Sequence, residues 1–263
     1  MIVEAILGSG ILAIIIALII SYISKRFKAV ENPDVDRVIE ALPGRNCTAC
    51  GYPNCDALAE AIVQRKAKPN ACALGGNETA AKVSVILGIT TEKQDPKVAK
   101  VFCNGGIQND DNRSDYHGID TCEAARLISQ GLKQCLYGCL MFYDCAKACP
   151  IDAIKIDEIN LPKVIKEKCV GCGLCVKACP LVLIELLPKK AMVHVICSSQ
   201  DTTKDTIKNC KVGCIACKKC EQTCKFDAIH VRDNHAHVDY AKCTNCGDCV
   251  QVCPRKIIQK ENE

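Results

Sequence analysis

The segment CIACKKCEQTC at residues 214–224, followed by CTNCGDCVQVCP at residues 243–254, decides the fold of this chain. Each run repeats C-x-x-C-x-x-C and adds a fourth cysteine after three more residues. Cysteine thiolates are strong metal ligands, and this close spacing directs several sulfurs to one centre. Pro254 follows the last cysteine of the second run and prevents the chain from continuing as a helix. The pattern predicts compact metal centres held by short helices and turns.

The same arrangement occurs earlier in the chain, as CLMFYDCAKACP at residues 139–150 and CVGCGLCVKACP at residues 169–180. The residues that follow the first run of each half also correspond, with IDAI at 151–154 and FDAI at 226–229. Lys225 stands where the other three runs have proline. An internal repeat of this kind predicts two similar structural units in tandem.

Each half resembles the bacterial two-cluster ferredoxins, whose runs of four cysteines hold [4Fe–4S] clusters. In that family the fourth cysteine of each run ligates the other cluster. For this chain the resemblance implies three complete ligand sets: Cys243, Cys246 and Cys249 with Cys224; Cys214, Cys217 and Cys220 with Cys253; Cys169, Cys172 and Cys175 with Cys149.

The first run of the first half lacks one thiol, because Phe142 stands where Cys217 stands in the second half. Cys135 lies four residues before Cys139 and is the candidate to replace it. The resemblance then implies a cluster held by Cys135, Cys139, Cys145 and Cys179. A three-iron cluster, which needs fewer protein ligands, is the alternative.

A separate group of cysteines, Cys47, Cys50, Cys55 and Cys72, precedes the repeat. Residues 56–66 have helical periodicity and are predicted to fold back and bring Cys72 to the other three thiols. Four cysteines suit one tetrahedral zinc ion or one [4Fe–4S] cluster. Spacing alone leaves both open.

Four cysteines remain outside these sets: Cys103, Cys122, Cys197 and Cys210. One interpretation is that they are buried free thiols, which pack as small hydrophobic residues. The other is that they hold a sixth cluster that joins the two units. The sets above give at least five clusters. The total of 24 cysteines equals six sets of four, so the count also permits a sixth.

Residues 6–23, ILGSGILAIIIALIISYI, form an apolar run close to the length that spans a bilayer. Lys25, Arg26 and Lys28 follow, which predicts by the positive-inside rule that the rest of the chain is cytoplasmic. A cleaved signal peptide would carry its positive charge before the apolar run, whereas Glu4 stands there. We therefore expect a single-pass anchor and a reducing compartment that favours metal sites over disulfides.

Composition excludes several other functions. The net charge of +4 over 263 residues does not suggest nucleic-acid binding. The sequence has no C-x-x-C-H haem motif, no G-x-G-x-x-G and no P-loop. We expect no haem, flavin or nicotinamide on this chain.

An apolar span, a C-x2-C-x4-C…C group and two ferredoxin units together resemble the B subunit of the Rnf electron-transport complex, in its longer form. That family implies an ion-translocating ferredoxin:NAD oxidoreductase in which this subunit carries electrons. The resemblance implies soluble ferredoxin as the donor, other subunits of the complex as partners, and the inner cell membrane as the location. Substrate chemistry belongs to the other subunits, so we expect no catalytic residue here. A membrane-anchored zinc-binding or redox-sensing module is the alternative function.

We therefore expect an α+β fold with an N-terminal transmembrane helix, a small α-helical [4Fe–4S] domain and two tandem two-cluster ferredoxin units. The expected domains are 1–28 for the anchor, 29–75 for the four-cysteine domain, 76–100 for a linker, and 101–190 and 191–263 for the two ferredoxin-like units. Two lysine groups are candidates for docking an acidic ferredoxin, with a solvated surface as the alternative: Lys163, Lys166 and Lys168, and Lys204, Lys208 and Lys211.

Overall fold

The computed structural model describes residues 14–21, 32–109, 116–129 and 132–261. Its first domain is helical and contains α1 (Pro33–Ala41), α2 (Cys55–Val63) and α3 (Gly76–Leu87). The side chains of Asn32 and Asn54 cap α1 and α2 by accepting hydrogen bonds from backbone amides of the first turn. The helix predicted over residues 56–66 is present as α2.

The segment predicted as a linker, residues 76–100, instead contains α3 and most of strand β1 (Lys97–Val101). Val83 of α3 is fully buried with Val38 of α1 and Leu58 of α2. The segment carries no cysteine, but its apolar residues recur at helical spacing and complete the core of the first domain. It therefore divides between that domain and the first ferredoxin unit.

In its described residues, the first ferredoxin unit contains two antiparallel strand pairs and three short helices. Its strands and helices are β1 with β4 (Ile184–Pro188), β2 (Ile154–Ile156) with β3 (Pro162–Val164), and α4 (Cys122–Ser129), α5 (Asp144–Lys147) and α6 (Leu174–Ala178). Ala99, Ile154 and Ile184 form its core together with Cys145 and Cys175. With so small an apolar core, bound metal would contribute to the stability of the unit.

The second unit repeats this plan. Its strands and helices are β5 (Val193–Val195) with β8 (Ile258–Lys260), β6 (Ile229–Arg232) with β7 (His235–Val238), and α7 (Thr203–Asn209), α8 (Lys219–Thr223) and α9 (Asp248–Gln251). Val193, Ile229 and Ile257 pack against Cys214 and Cys220 in its core. The sequence repeat is thus also a structural repeat.

Each cysteine run contains one short helix after its second cysteine position, and these helices are α5, α6, α8 and α9. Each of them begins after a residue in the left-handed backbone conformation. These residues are Tyr143 (φ 60°), Gly173 (φ 80°), Lys218 (φ 60°) and Gly247 (φ 91°). Glycine adopts this conformation freely, whereas a residue with a Cβ is strained by about 1 kcal/mol or more. That Tyr143 and Lys218 tolerate it indicates that this turn is required to direct the cysteines inward.

The two ferredoxin units contact each other directly. The Oγ of Ser198 donates a 3.1 Å hydrogen bond to the carbonyl of Phe102. Lys100, on β1 of the first unit, forms an ion pair with Glu261, which follows β8 of the second. His194 Nε2 lies 3.8 Å from the other oxygen of Glu261. These contacts fix one unit against the other.

The apolar run predicted as an anchor over residues 6–23 lies partly outside the described residues. Residues 14–21 are helical, and isoleucines on this stretch are exposed, among them Ile14 (62%) and Ile20 (61%). In the part of the chain that the structure describes, none of the helices combines the length and the apolar character needed to span a bilayer.

Candidate metal centres

None of the 24 cysteines forms a disulfide bond. In the described part of the chain, four small cavities each have four cysteines among their lining residues. The remaining cysteines cluster around Cys175 and Cys220, where neighbouring thiols raise the pKa of these two side chains. Four cysteines are the ligand number of a tetrahedral zinc ion and of a [4Fe–4S] cluster. Among the described residues, no group of three or more His, Cys, Asp or Glu side chains is arranged to hold a single metal ion.

The helical domain brings Cys47, Cys50, Cys55 and Cys72 around one cavity. Cys55 begins α2, and its backbone amide donates a 2.8 Å hydrogen bond to Oδ1 of Asn46. The amide of Gly75 donates to the Sγ of Cys72 at 3.3 Å. Burial raises the pKa of Cys72, and the three neighbouring thiols raise it further. The predicted fold-back of Cys72 is therefore present.

The second ferredoxin unit contains two quartets in the crossed arrangement. Cys243, Cys246 and Cys249 line one cavity with Cys224, the last cysteine of the preceding run. Burial raises the pKa of Cys220 to about 12, and the adjoining thiols of Cys214, Cys217 and Cys253 raise it as well. Each run thus contributes its fourth cysteine to the quartet of the other.

The second run of the first unit forms an equivalent quartet. Burial raises the pKa of Cys175 to about 12, with further contributions from Cys169, Cys172 and Cys149 and from Cys145 of the neighbouring run. The amide of Ala153 donates to the Sγ of Cys149 at 3.3 Å, and the amide of Ala228 donates to the Sγ of Cys224 at 3.4 Å. These two hydrogen bonds occupy the same place in the repeat.

The first run of the first unit is assembled differently from the prediction. Cys139, Cys145 and Cys179 line a cavity with Cys122, and not with Cys135. Cys122 is the first residue of α4, and its amide donates a 2.7 Å hydrogen bond to Oδ2 of Asp144, the neighbour of Cys145. This bond holds the start of α4 against the run, so a cysteine distant in sequence supplies the fourth thiol.

Phe142 explains why this substitution is needed. The residues on either side of it, Met141 and Tyr143, have φ of 61° and 60°, and those beside Cys217, Ala216 and Lys218, have φ of 51° and 60°. The backbone of the run is therefore kept although its thiol is absent. The Phe142 ring instead makes an edge contact with Tyr116, with centroids 5.2 Å apart.

Cys135 belongs to the remaining quartet. It lines a cavity together with Cys103, Cys197 and Cys210. The sequence predicts Cys122 with Cys103, Cys197 and Cys210, and Cys135 with Cys139, Cys145 and Cys179. In the structure Cys122 and Cys135 exchange places. One signal favoured the observed grouping, because Cys135 and Cys210 each stand four residues before the first cysteine of a run.

The cysteine quartets, the crossed fourth cysteines and the short helices that begin in left-handed turns define this chain as a ferredoxin-type iron–sulfur protein of mixed α/β structure. Residues 42–73 match the FeS family of Fe–S cluster domains, residues 162–185 match the 4Fe-4S binding domain family, and residues 213–257 match the 4Fe-4S dicluster domain family.

Relatives cover most of the chain. It is 42% identical to the B subunit of the Na(+)-translocating ferredoxin:NAD(+) oxidoreductase complex of Acetobacterium woodii, over 97% of this chain and 76% of the relative. It is 40% identical to the B subunit of the ion-translocating oxidoreductase complex of Methanosarcina acetivorans, over 90% of this chain and 89% of the relative. It is 37% identical to the B subunit of the proton-translocating ferredoxin:NAD(+) oxidoreductase complex of Clostridium ljungdahlii, over 95% and 89%. The chain belongs to this family of B subunits, as its resemblance to the Rnf protein predicted.

Proposed function

We propose that this chain is the multi-cluster electron-transfer subunit of a membrane-bound, ion-translocating ferredoxin:NAD oxidoreductase. The observation that carries the proposal is the grouping of its cysteines into quartets, in a chain that belongs to this family of B subunits. Bound [4Fe–4S] clusters would supply one-electron redox chemistry at these quartets.

Five ligand sets are proposed here: Cys47, Cys50, Cys55 and Cys72; Cys122, Cys139, Cys145 and Cys179; Cys149, Cys169, Cys172 and Cys175; Cys214, Cys217, Cys220 and Cys253; Cys224, Cys243, Cys246 and Cys249. Buried neutral thiols have to lose their protons to bind iron, so assembly of each set releases protons.

The protein's own part in this chemistry is to hold sulfurs and to set their electrostatic environment. Backbone amides donate to the sulfurs of Cys72, Cys169 and Cys179 at 3.3 to 3.4 Å. Hydrogen bonds to sulfur favour the more negative, reduced form and so raise a reduction potential. No carboxylate, histidine or hydroxyl is required to act on a substrate.

The anchor and the domain boundaries are part of the same proposal. Residues 6–23 cross the inner cell membrane once, and the body of the chain lies on the cytoplasmic side. The exposed isoleucines of residues 14–21 and the basic residues Lys25, Arg26 and Lys28 support this arrangement. We divide the chain into the anchor 1–28, the cluster domain 29–75 extended by α3, and ferredoxin units at 101–190 and 191–263, with β1 joining the first. Deleting residues 1–28 should leave the iron content unchanged and move the protein from the membrane to the soluble fraction.

The donor proposed is a soluble, acidic ferredoxin, and the acceptors are other subunits of the complex. Lys163 and Lys166 both border one large cavity between the ferredoxin units, beside Lys100. Lys204, Lys208 and Lys211 are exposed around α7 on the second unit. Cationic surfaces of this kind steer an anionic partner towards them.

The deciding experiment is anaerobic purification followed by iron, sulfide and zinc analysis and by reduction with ferredoxin under electron paramagnetic resonance (EPR). We expect iron and sulfide in equal amounts, no zinc, and EPR signals of reduced clusters once reduced ferredoxin is added. Zinc without iron would indicate the anchored zinc-binding module instead. Iron clusters that reduced ferredoxin leaves oxidised would refute the electron-transfer function.

A further inference from the structure

We propose that Cys103, Cys135, Cys197 and Cys210 hold a further [4Fe–4S] cluster at the junction of the two ferredoxin units. The inference rests on the function proposed above and extends it to residues that none of the matched families covers. These four cysteines line one cavity, between residues 102–105 and 135–138 of the first unit and residues 196–199 and 210–213 of the second.

The four cysteines come in two pairs that the internal repeat relates. Cys103 stands two residues after β1, and Cys197 stands two residues after β5. The amide of Cys139 donates to the Sγ of Cys103 at 3.3 Å, and the amide of Cys214 donates to the Sγ of Cys197 at 3.3 Å. Both donors are the first cysteines of their runs, so the two sulfurs are held in the same way.

The second pair is equally matched. Cys135 and Cys210 each stand four residues before the first cysteine of a run, and each is followed three residues later by a glycine. The amide of Gly138 donates to the carbonyl of Cys135 at 3.2 Å, and the amide of Gly213 donates to that of Cys210 at 3.5 Å. Each unit thus contributes an equivalent pair of cysteines to the shared cavity. This symmetry is expected of a ligand bound between the two units.

The surroundings fit a cluster better than spare thiols. Cys210 is buried, Cys103, Cys135 and Cys197 are half-buried, and all four line the same small cavity. The guanidinium of Arg255 donates to the carbonyls of Cys210 and Gly213 and fixes that turn. Buried free thiols that merely pack would not need hydrogen-bonded sulfurs at repeat-related positions.

The junction also adjoins one quartet of each ferredoxin unit. The amides of Cys139 and Cys214, which each belong to such a quartet, donate to the sulfurs of Cys103 and Cys197. Within the first unit Cys145 and Cys175 lie in the same buried cluster. The junction quartet therefore lies beside a cysteine site of each ferredoxin unit.

The test is the iron and sulfide content of the full-length protein, purified anaerobically, and of variants that each lack two thiols. We expect about 24 irons per wild-type chain, four for each of six sites, and about 20 in Cys135→Ala/Cys197→Ala. The matched control, Cys122→Ala/Cys145→Ala, removes two thiols from a single proposed site and should also give about 20. Combining both pairs should give about 16.

About 20 irons in the wild type, unchanged in Cys135→Ala/Cys197→Ala, would overturn the junction cluster and leave the electron-transfer function standing. The wild-type count settles this even where a variant fails to fold. A loss of about eight irons on removing Cys135 and Cys197 would place them in two different sites and would also overturn the inference. Zinc in place of iron would reject the proposed function itself.

Discussion

The backbone amide of Cys122 donates a 2.7 Å hydrogen bond to Oδ2 of Asp144. The carboxylate thereby satisfies a backbone donor at the start of α4 and places negative charge at a helix N-terminus, each of which is stabilising. Because Asp144 also precedes Cys145, one side chain connects two thiols of the same quartet.

Asp144→Ala should therefore loosen Cys122 from its quartet. Loss of a capping interaction costs about 1 kcal/mol, so we expect faster loss of iron from this site on exposure to a chelator. Asp248→Ala is the matched control, since Asp248 precedes Cys249 at the same position of another run. Equal rates of iron release for the two variants would contradict this role of Asp144.

Cys122→Ala should lower the iron content, and adding Phe142→Cys should restore it. The backbone around Phe142 already has the conformation found around Cys217, so a cysteine there would be directed inward. The measurement is iron per chain for the single and double variants. Adding Phe142→Cys to Cys135→Ala is the control, and it should not restore the iron lost with Cys135. If Phe142→Cys restored the iron content of Cys135→Ala and not that of Cys122→Ala, the cysteines would be grouped wrongly.

Lys133 should raise the reduction potential of the adjoining sites. It is only 3% exposed, its Nζ donates to the carbonyl of Gly105, and its charge lowers the pKa of Cys139. A buried cation favours the more negative, reduced form of a neighbouring cluster. Lys133→Met should shift one potential by about 60 mV to more negative values, which for one electron corresponds to about 1.4 kcal/mol. Lys133→Arg keeps the charge and should shift it less. Redox titration followed by EPR would refute this role if both variants kept the wild-type potentials.

Glu261→Gln should weaken the junction between the ferredoxin units. The nearby His194 ring, followed by the hydrogen bond and charge of Lys100, holds the pKa of Glu261 at about 2, below its ordinary 4.5. A lowered carboxyl pKa means that this stabilisation is complete above about pH 4.5 and is lost only as the pH falls towards 2. Near neutral pH we expect a loss of about 1.5–3 kcal/mol, the range for hydrogen bonds to charged groups.

Thermal unfolding of the iron-loaded protein at about pH 7 measures that loss. Glu158→Gln removes an exposed carboxylate and should leave the midpoint unchanged. A Glu261→Gln midpoint equal to that of Glu158→Gln would indicate that the contact contributes nothing to stability.

Replacing Lys163, Lys166 and Lys168 by glutamine should slow oxidation of reduced ferredoxin and flatten its dependence on salt, because exposed charges act mainly on the association rate. The trio Lys204, Lys208 and Lys211 is the comparison on the second unit. Rates unaltered by either triple substitution would reject a lysine docking surface on this chain.

The repeat and the four-cysteine group follow from sequence spacing, because a metal centre needs its thiols at short, fixed intervals. The crossed sets of cysteines follow from the resemblance of each half to the two-cluster ferredoxins. Cys122 could not be assigned in this way. Its place depends on a hydrogen bond to Asp144 across 22 residues of chain, which spacing does not encode. Cys135 was assigned by nearness to Cys139, although its equivalence to Cys210 was visible. The lack of cysteine in residues 76–100 predicts a linker, whereas the burial of Val83 there depends on apolar packing.

The junction cavity has a consequence for biosynthesis. Its four cysteines are spread over residues 103 to 210, whereas those of the helical domain lie within residues 47 to 72. During translation the helical domain can receive its iron while most of the chain is still unmade. The junction stays two thiols short until Cys197 and Cys210 have left the ribosome and the second unit has begun to fold. Cells short of iron should therefore accumulate chains that are filled at the N-terminal end and incomplete in the middle.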